Sequence, residues 1–126
     1  MEGGSMTSAN YTQAAIERFH RAVNSHDVDA LTAAITDDCF FESTLPPDGD
    51  SYEGKAAIGD FFSKLFDTAV ERTFDVEELV IAGDRGIMRW RHRWIDEAGT
   101  QGHVRGVDLF RVRDGKVAEK LSYVKG

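Results

Sequence analysis

The C-terminal segment from His103 to Val124 constrains the fold more than any other part of this chain of 126 residues. Its first half alternates in polarity, which is typical of an extended strand, and Asp114 and Gly115 tolerate the positive φ of a tight hairpin turn. The segment therefore predicts two antiparallel strands. One face of the first strand carries Val104, Gly106, Asp108, Phe110 and Val112. A single carboxylate thus lies on an otherwise apolar face.

The partner of Asp108 depends on the register of this hairpin, since burying a carboxylate is costly unless another group pairs with it or neutralises it. A three-residue turn with Gly115 as a bulge places Lys120 opposite Asp108, and Ala118 opposite Phe110. A two-residue turn places Leu121 there instead and leaves the charge unpaired. We favour the bulged register because it collects apolar residues on the opposite face of the sheet, namely Val117, Leu121 and Tyr123.

Asp108 then has two interpretations. It is either half of a structural ion pair with Lys120, or an acid/base group in a pocket. In the second case the pKa of Asp108 is set by Lys120 or His92 and by the apolar walls of the pocket. The expected walls are Phe19, Trp90 and Phe110.

The strand from Ile87 to Ile95 supplies the histidine of this hypothesis. Its three arginines alternate with Met88, Trp90, His92 and Trp94, so we expect these four side chains to face inward. If His92 pairs near Gly106, its ring reaches Asp108 and the carboxylate orients it as a general base. The alternative is a histidine that caps the pocket through a bond to the backbone or to the Tyr52 hydroxyl.

The N-terminal half predicts helices over residues 8–25, 28–36 and 55–67, from apolar residues spaced three and four apart. A first strand is expected over 39–44 and the rest of the sheet over 71–124. Residues 1–7 are expected to be a disordered tail or a cloning-derived extension, and residues 8–126 a single domain. His20 is interpreted as a boundary histidine that packs at the edge of the first helix.

Composition excludes several classes of function. The formal net charge of −7 argues against nucleic acid as a partner and disfavours anionic membranes, and no apolar run is long enough to span a membrane. The one cysteine, Cys39, lies in an apolar run, so we expect a buried, inert thiol in a cytoplasmic protein. The histidines lack metal-ligand spacing and there is no nucleotide-binding motif, so no metal or cofactor is expected.

The order of the elements predicts an α+β fold in which three N-terminal helices pack on a strongly bent, mostly antiparallel sheet. The outer face of that sheet mixes arginines with aliphatic residues, which suits a second copy of the chain better than solvent. We therefore expect a homodimer through this convex face. Its apolar contacts would be Val107, Leu109, Leu121 and Tyr123.

Several motifs resemble the SnoaL-like group of the nuclear-transport-factor-2-like superfamily, which also includes ketosteroid isomerase and limonene epoxide hydrolase. The resemblance covers about residues 8–124 and lies in the segments 24–31, 41–43, 53–58 and 106–117. It implies a cone-shaped half-barrel with an apolar pocket, usually dimeric through the convex sheet. The fold alone does not imply an activity, because this superfold supports enzymes and non-catalytic domains alike.

Residue by residue, the resemblance implies which activities are retained. The late-strand acid of ketosteroid isomerase matches Asp108, but its tyrosine matches Phe19 and its proton-transferring aspartate matches Ser43, so steroid isomerisation is not expected. The acid and nearby histidine of SnoaL-type polyketide cyclases match Asp108 and His92. One aspartate of the epoxide hydrolases matches Ser122, which disfavours that activity.

The sequence thus leads to two hypotheses. In the first, the protein is a lyase, isomerase or cyclase that uses Asp108 and His92 on an apolar carbonyl compound. In the second, it is a non-catalytic module that binds a small hydrophobic ligand or mediates dimerisation. The substrate-binding residues expected in either case are Phe19, Ser43, Tyr52, Trp90, Phe110 and Lys120. An open cavity with converging titratable groups would favour the enzyme.

Overall fold

Three helices form along the N-terminal half of the chain in the computed structural model, which describes residues 7–68 and 71–125. They are α1 (Ser8–Asn24), α2 (Val28–Ala33) and α3 (Lys55–Phe66). The Thr7 side chain caps α1 by accepting from the Asn10 amide, and Asp27 caps α2 by accepting from the Ala30 amide. Of the predicted tail, residues 1–6 lie outside the described residues.

A six-stranded mixed sheet follows in the order β2-β1-β6-β5-β4-β3, open at both edges. The strands are β1 (Ile35–Glu42), β2 (Ser51–Glu53), β3 (Glu71–Ala82), β4 (Arg85–Ile95), β5 (Gln101–Arg113) and β6 (Lys116–Val124). Only β1 and β6 pair in parallel; the other neighbours are antiparallel. The predicted α+β class and the meander of four strands are confirmed.

The second helix is shorter than predicted, because residues 35–38 belong to β1 rather than to the end of α2. Ile35 pairs with Val117 of β6, and the carbonyl of Ala34 accepts a hydrogen bond from the Val117 amide at 3.0 Å. Ile35 is fully buried. Its β-branched side chain suits a strand, and the long-range ladder outweighs the helical spacing of the local sequence.

The predicted register of the β5–β6 hairpin is wrong. Asp114 and Gly115 both have positive φ, 55° and 74°, and form a two-residue turn. A bulge between Arg111 and Val112 on β5 and their partners on β6 then shifts the ladder. As a result Ser122, and neither Lys120 nor Leu121, lies opposite Asp108. Val117 is fully buried instead of facing outward, because it pairs with Val112 on the inner face.

The core lies between the helices and the concave face of the sheet. Helix α1 contributes Ile16 and Phe19, and α3 contributes Ile58 and Phe62, all at most 3% exposed. Of the four residues of β4 predicted to face inward, Met88, Trp90 and His92 are buried, and Trp94 is partly buried. Cys39 is buried among them, as expected, and burial raises the pKa of its thiol to about 12.

The convex face carries a transverse row of apolar side chains. Val80, Ile87, Leu109 and Leu121 are direct neighbours across β3, β4, β5 and β6. Val80, Ile87 and Leu109 are exposed, and so is Tyr123 beside them. Arginines on the same face are in part paired with acids: Arg89 with Glu78 at 3.4 Å and Arg105 with Glu77 at 3.0 Å.

Candidate functional site

A cavity of about 180 Å³ lies between α1, α3 and the concave face of the sheet. Its walls are largely aromatic, and edge-to-face contacts fix them: Phe19 lies 6.0 Å from both Phe62 and Phe110, between ring centroids. Asp108 lines it together with the predicted walls Phe19, Trp90 and Phe110 and the predicted ligand Lys120. Few polar side chains line the cavity, so each of them strongly affects which ligands the cavity can bind and which reactions it can support.

Asp108, Ser122 and Lys120 form a connected polar chain at the wall of this cavity. The Ser122 hydroxyl donates to Asp108 Oδ1 at 2.7 Å, and Lys120 Nζ donates to Ser122 Oγ at 2.7 Å. Lys120 Nζ also lies 3.5 Å from Asp108 Oδ2. Although the register prediction was wrong, lysine and aspartate therefore still meet, diagonally across the ladder.

Lys120 occupies an unusually apolar site for an amine. Its side chain is 12% exposed, and Nζ lies 4.2 Å from the centroid of the Phe41 ring and 5.9 Å from that of Phe62. Burial lowers the pKa of Lys120, and the charge of Asp108 opposes this only in part. The sequence placed Lys120 beside Asp108 through a three-residue turn, whereas a two-residue turn followed by the bulge in β6 brings it inward in the structure.

His92 lines the cavity but does not pair with Asp108, and the expected proximity to Gly106 is wrong. Trp90 lies opposite Gly106, while His92 lies opposite Val104. Four residues of β5 separate Val104 from Asp108, which is about 14 Å along a strand. The partner of His92 is Arg72, whose Nη1 lies 2.5 Å from His92 Nε2.

The contact with Arg72 fixes the chemical form of His92. A guanidinium has donors but no acceptor, so Nε2 must carry the lone pair and Nδ1 the proton. Burial lowers the pKa of His92 to about 4, with a further contribution from the charge of Arg72. His92 is therefore a neutral ring that can donate from Nδ1, and a poor general base near neutral pH.

His20 is the histidine associated with Asp108. It lines the cavity from α1, and the charge of Asp108 acts on its pKa, although burial has the larger effect and lowers that pKa. Asn24 Nδ2 donates to His20 Nε2 at 3.0 Å, and the Asn24 amide is oriented by two bonds to the Phe74 backbone. His20 Nδ1 therefore carries the proton. Interpreting His20 from the helix alone could not identify this neighbour, which lies on a strand distant in sequence.

Two other predicted ligands have different positions. Ser43 lines the cavity, but its hydroxyl accepts from the Asp50 amide at 2.9 Å and so holds the loop after β1. Tyr52 lies in the edge strand β2 and packs on Phe41 and Phe61, at 5.8 and 4.9 Å between centroids. It supports the aromatic wall from behind and is not a lining residue.

Within residues 7–68 and 71–125 there is no group of three or more histidine, cysteine or acidic side chains placed to hold a metal ion. In the same ranges, no helix combines the length and the apolar character that crossing a membrane requires.

Comparison with solved structures places the fold in a well-populated group. An NTF2-like protein of unknown function from Mesorhizobium loti is 36% identical, with 98% of each chain covered and a TM-score of 0.80. A protein described as a polyketide cyclase, from Xanthomonas campestris pv. campestris, is 20% identical over 94% of this chain and 93% of its own (TM-score 0.77). One described as a ketosteroid isomerase, from Kribbella flavida, is 20% identical over 97% and 83% (TM-score 0.79).

No curated protein sequence matches this chain significantly. The family model for the SnoaL-like domain matches residues 16–120, which include the cavity residues from Phe19 to Lys120. The matched segment includes the second half of α1, all of α2 and α3, and most of the sheet. The chain therefore belongs to the SnoaL-like family and has the NTF2-like, ketosteroid isomerase-like fold.

Proposed function

We propose that this protein is a small-molecule enzyme that acts by acid/base chemistry on an apolar carbonyl compound in the cavity, as a lyase, isomerase or cyclase. The observation that carries the proposal is the polar chain of Asp108, Ser122 and Lys120 on an otherwise aromatic wall. Perturbed titratable groups in an apolar pocket are characteristic of functional sites. The names of some structural neighbours, polyketide cyclase and ketosteroid isomerase, are compatible with this class of chemistry.

In the proposed reaction, Asp108 moves a proton to or from the carbon next to the carbonyl. The Ser122 hydroxyl orients the carboxylate through its bond to Oδ1. His20 and His92 are neutral and carry their protons on Nδ1, so either can donate a hydrogen bond to the carbonyl oxygen as negative charge develops there. His92 is thus proposed as a donor rather than as the base.

The size of the cavity limits the substrate. Its volume of about 180 Å³ is only slightly larger than the ~150 Å³ cavity that accepts benzene in another protein. We therefore propose a compound of one or two rings rather than a four-ring steroid or polyketide. We also propose that the bent sheet and helices together form the cone-shaped half-barrel typical of this fold, with the cavity inside it.

The proposal is tested by exchange of carbon-bound protons for deuterium, because this step is shared by all the reactions named. One- and two-ring ketones, such as phenylacetone and 2-indanone, are incubated with the protein in heavy water and followed by NMR. The expected result is faster exchange for at least one compound, reduced about 10²–10⁴-fold in Asp108→Asn, as for other lost proton-transfer groups. Asp60→Asn, at an exposed ion pair on α3, is the matched control and should leave the rate unchanged.

The same variants distinguish the alternative of a binding module. If Asp108 is only the structural partner of Lys120, Asp108→Asn should lower the free energy of unfolding by about 3–5 kcal/mol and leave ligand affinity unchanged. No exchange above the rate in buffer, for ketones that bind, would contradict the enzyme proposal and favour the module.

We further propose that the protein is a homodimer through the convex face and resides in the cytoplasm. The apolar row of Val80, Ile87, Leu109 and Leu121 supports the dimer, because three of its four side chains are exposed and such a surface is stabilised by being covered. The buried, unpaired Cys39 is compatible with a reducing compartment.

A further inference from the structure

Lys120 is the one amine that lines the cavity, and its surroundings differ from those of a structural ion pair. Charge-assisted bonds between nitrogen and carboxylate usually measure about 2.7–2.9 Å. Lys120 Nζ lies 3.5 Å from Asp108 Oδ2, and its 2.7 Å hydrogen bond goes to the neutral Ser122 hydroxyl instead. The contact with the carboxylate is therefore too long to compensate fully for burying an ammonium ion.

Aromatic rings occupy much of the remaining space around this amine. Phe41 lies beneath Nζ and Phe62 beside it, and Phe110 is the cross-strand partner of Lys120. An ammonium has three N–H donors to satisfy, whereas a neutral amine has fewer donors and a lone pair. The Phe41 face attracts an ammonium ion through a cation–π contact, whereas the loss of water and the long contact with Asp108 favour the uncharged form, which is the nucleophilic one.

We infer that Lys120 is a covalent nucleophile of the cavity, whose Nζ forms a Schiff base with the carbonyl carbon of a small aromatic aldehyde or ketone. This inference rests on the proposed function, because it names how the same site would activate the same class of substrate. Asp108 lies close enough to Nζ to exchange protons with the groups attached to it.

The Nζ lone pair attacks the carbonyl carbon, and the C=O electron pair moves to oxygen, which takes a proton from the protonated form of Asp108. The Asp108 carboxylate then takes the extra proton from the nitrogen, which gives a carbinolamine. Asp108 returns this proton to the hydroxyl, which leaves as water while the nitrogen lone pair forms C=N⁺. The resulting iminium acidifies the neighbouring C–H bond, which the Asp108 carboxylate can then deprotonate to an enamine.

The titratable groups near Nζ act on it in both directions. Burial lowers the pKa of Lys120 most strongly, and Asp108 on β5 and Cys39 on β1 raise it to a smaller extent. His20 on α1 and His92 on β4 also line the cavity, and burial lowers the pKa of each, so neither adds a positive charge near neutral pH. The net direction agrees with a reactive amine.

The test is reductive capture of benzaldehyde by the wild-type protein near neutral pH. Cyanoborohydride reduces any Schiff base to a stable benzylamine, and peptide mapping by mass spectrometry shows which lysine carries the benzyl group. Lys64, whose side chain is 78% exposed, is the internal control. Because burial lowers the pKa of Lys120 and so enlarges its uncharged fraction, we expect capture at Lys120 to exceed capture at Lys64 severalfold.

A competitor shows whether capture takes place inside the cavity. Toluene has the same ring but no carbonyl, so an excess should reduce capture at Lys120 and leave capture at Lys64 unchanged. Lys120→Arg should abolish only the Lys120 adduct, but the main comparison needs no variant and does not depend on the folding of one. Capture at Lys120 no greater than at Lys64, or unaffected by toluene, would overturn the inference.

The outcome of this experiment is independent of the outcome of the proton-exchange experiment. Benzaldehyde has no hydrogen on the carbon next to its carbonyl, so its capture reports only on the amine and not on proton abstraction by Asp108. Proton exchange that depends on Asp108, without capture at Lys120, would leave the acid/base proposal standing and overturn the covalent step alone.

Discussion

His92 makes the stability of this protein depend on pH in a predictable direction. Burial, followed by the charge of Arg72, lowers its pKa from 6.5 to about 4 in the folded chain. Between these two values the unfolded chain binds a proton that the folded chain does not bind. The free energy of unfolding must therefore decrease as the pH falls through this window, and recover as it rises.

The magnitude follows from the same two values. Each pKa unit is worth about 1.4 kcal/mol, so the interval from 6.5 to about 4 sets an upper limit of about 3 kcal/mol below the window. Integrated between pH 7 and pH 5, the contribution of His92 is about 2 kcal/mol. This is a large share of the 5–15 kcal/mol that stabilises a typical domain.

Urea denaturation at pH 7 and pH 5 measures this contribution. His92→Gln removes the titration while its amide oxygen can still accept from Arg72. We expect the wild type to lose about 2 kcal/mol more than this variant between the two pH values. His103→Gln, at an exposed histidine of β5, is the control and should behave like the wild type. An equal loss in the wild type and in His92→Gln would refute the assignment of a buried, neutral ring.

Three further predictions concern packing, assembly and reactivity. In Gly106→Ala the new Cβ would collide with the Tyr123 backbone carbonyl and lie 2.6 Å from the Trp90 ring, so we expect a loss of about 1–3 kcal/mol in urea denaturation; unchanged stability would contradict this. Leu109→Glu should dissociate the proposed dimer in sedimentation experiments at micromolar concentration, and a wild-type monomer of 14.0 kDa would exclude it. Cys39 should react with a thiol reagent only after unfolding, because burial raises its pKa to about 12; rapid labelling of the native protein would be inconsistent with that burial.

Periodicity in the sequence predicted the faces of the elements well. Alternation correctly placed Asp108 and Phe110 on the inner face of β5, and helical spacing located α1 and α3 to within a residue or two. These features depend only on local residue order. The order of helices and strands was enough to indicate the α+β class, and the resemblance of several motifs to the SnoaL-like group indicated the family.

Contacts between distant segments were harder to predict. The sequence paired Asp108 with His92 because both side chains face inward, but the register of β4 and β5 separates them. The charge of Asp108 acts instead on the pKa of His20 of α1. The early start of β1 at Ile35 was missed for the same reason, since its partner on β6 is distant in the chain. Both outcomes depend on register, which residue type alone does not determine.

The bulge in β6 makes the chemistry of the cavity depend on strand register as well as on residue identity. If the same two-residue turn led into a regular ladder with every residue kept, Leu121 would lie opposite Asp108 and turn inward, and Lys120 and Ser122 would point out from the convex sheet. Ala118, the residue accommodated by the bulge, thus keeps both polar neighbours of Asp108 in the cavity and keeps polar groups off the proposed dimer face. Relatives with the same residues in a regular ladder would differ from this chain in both ligand chemistry and self-association.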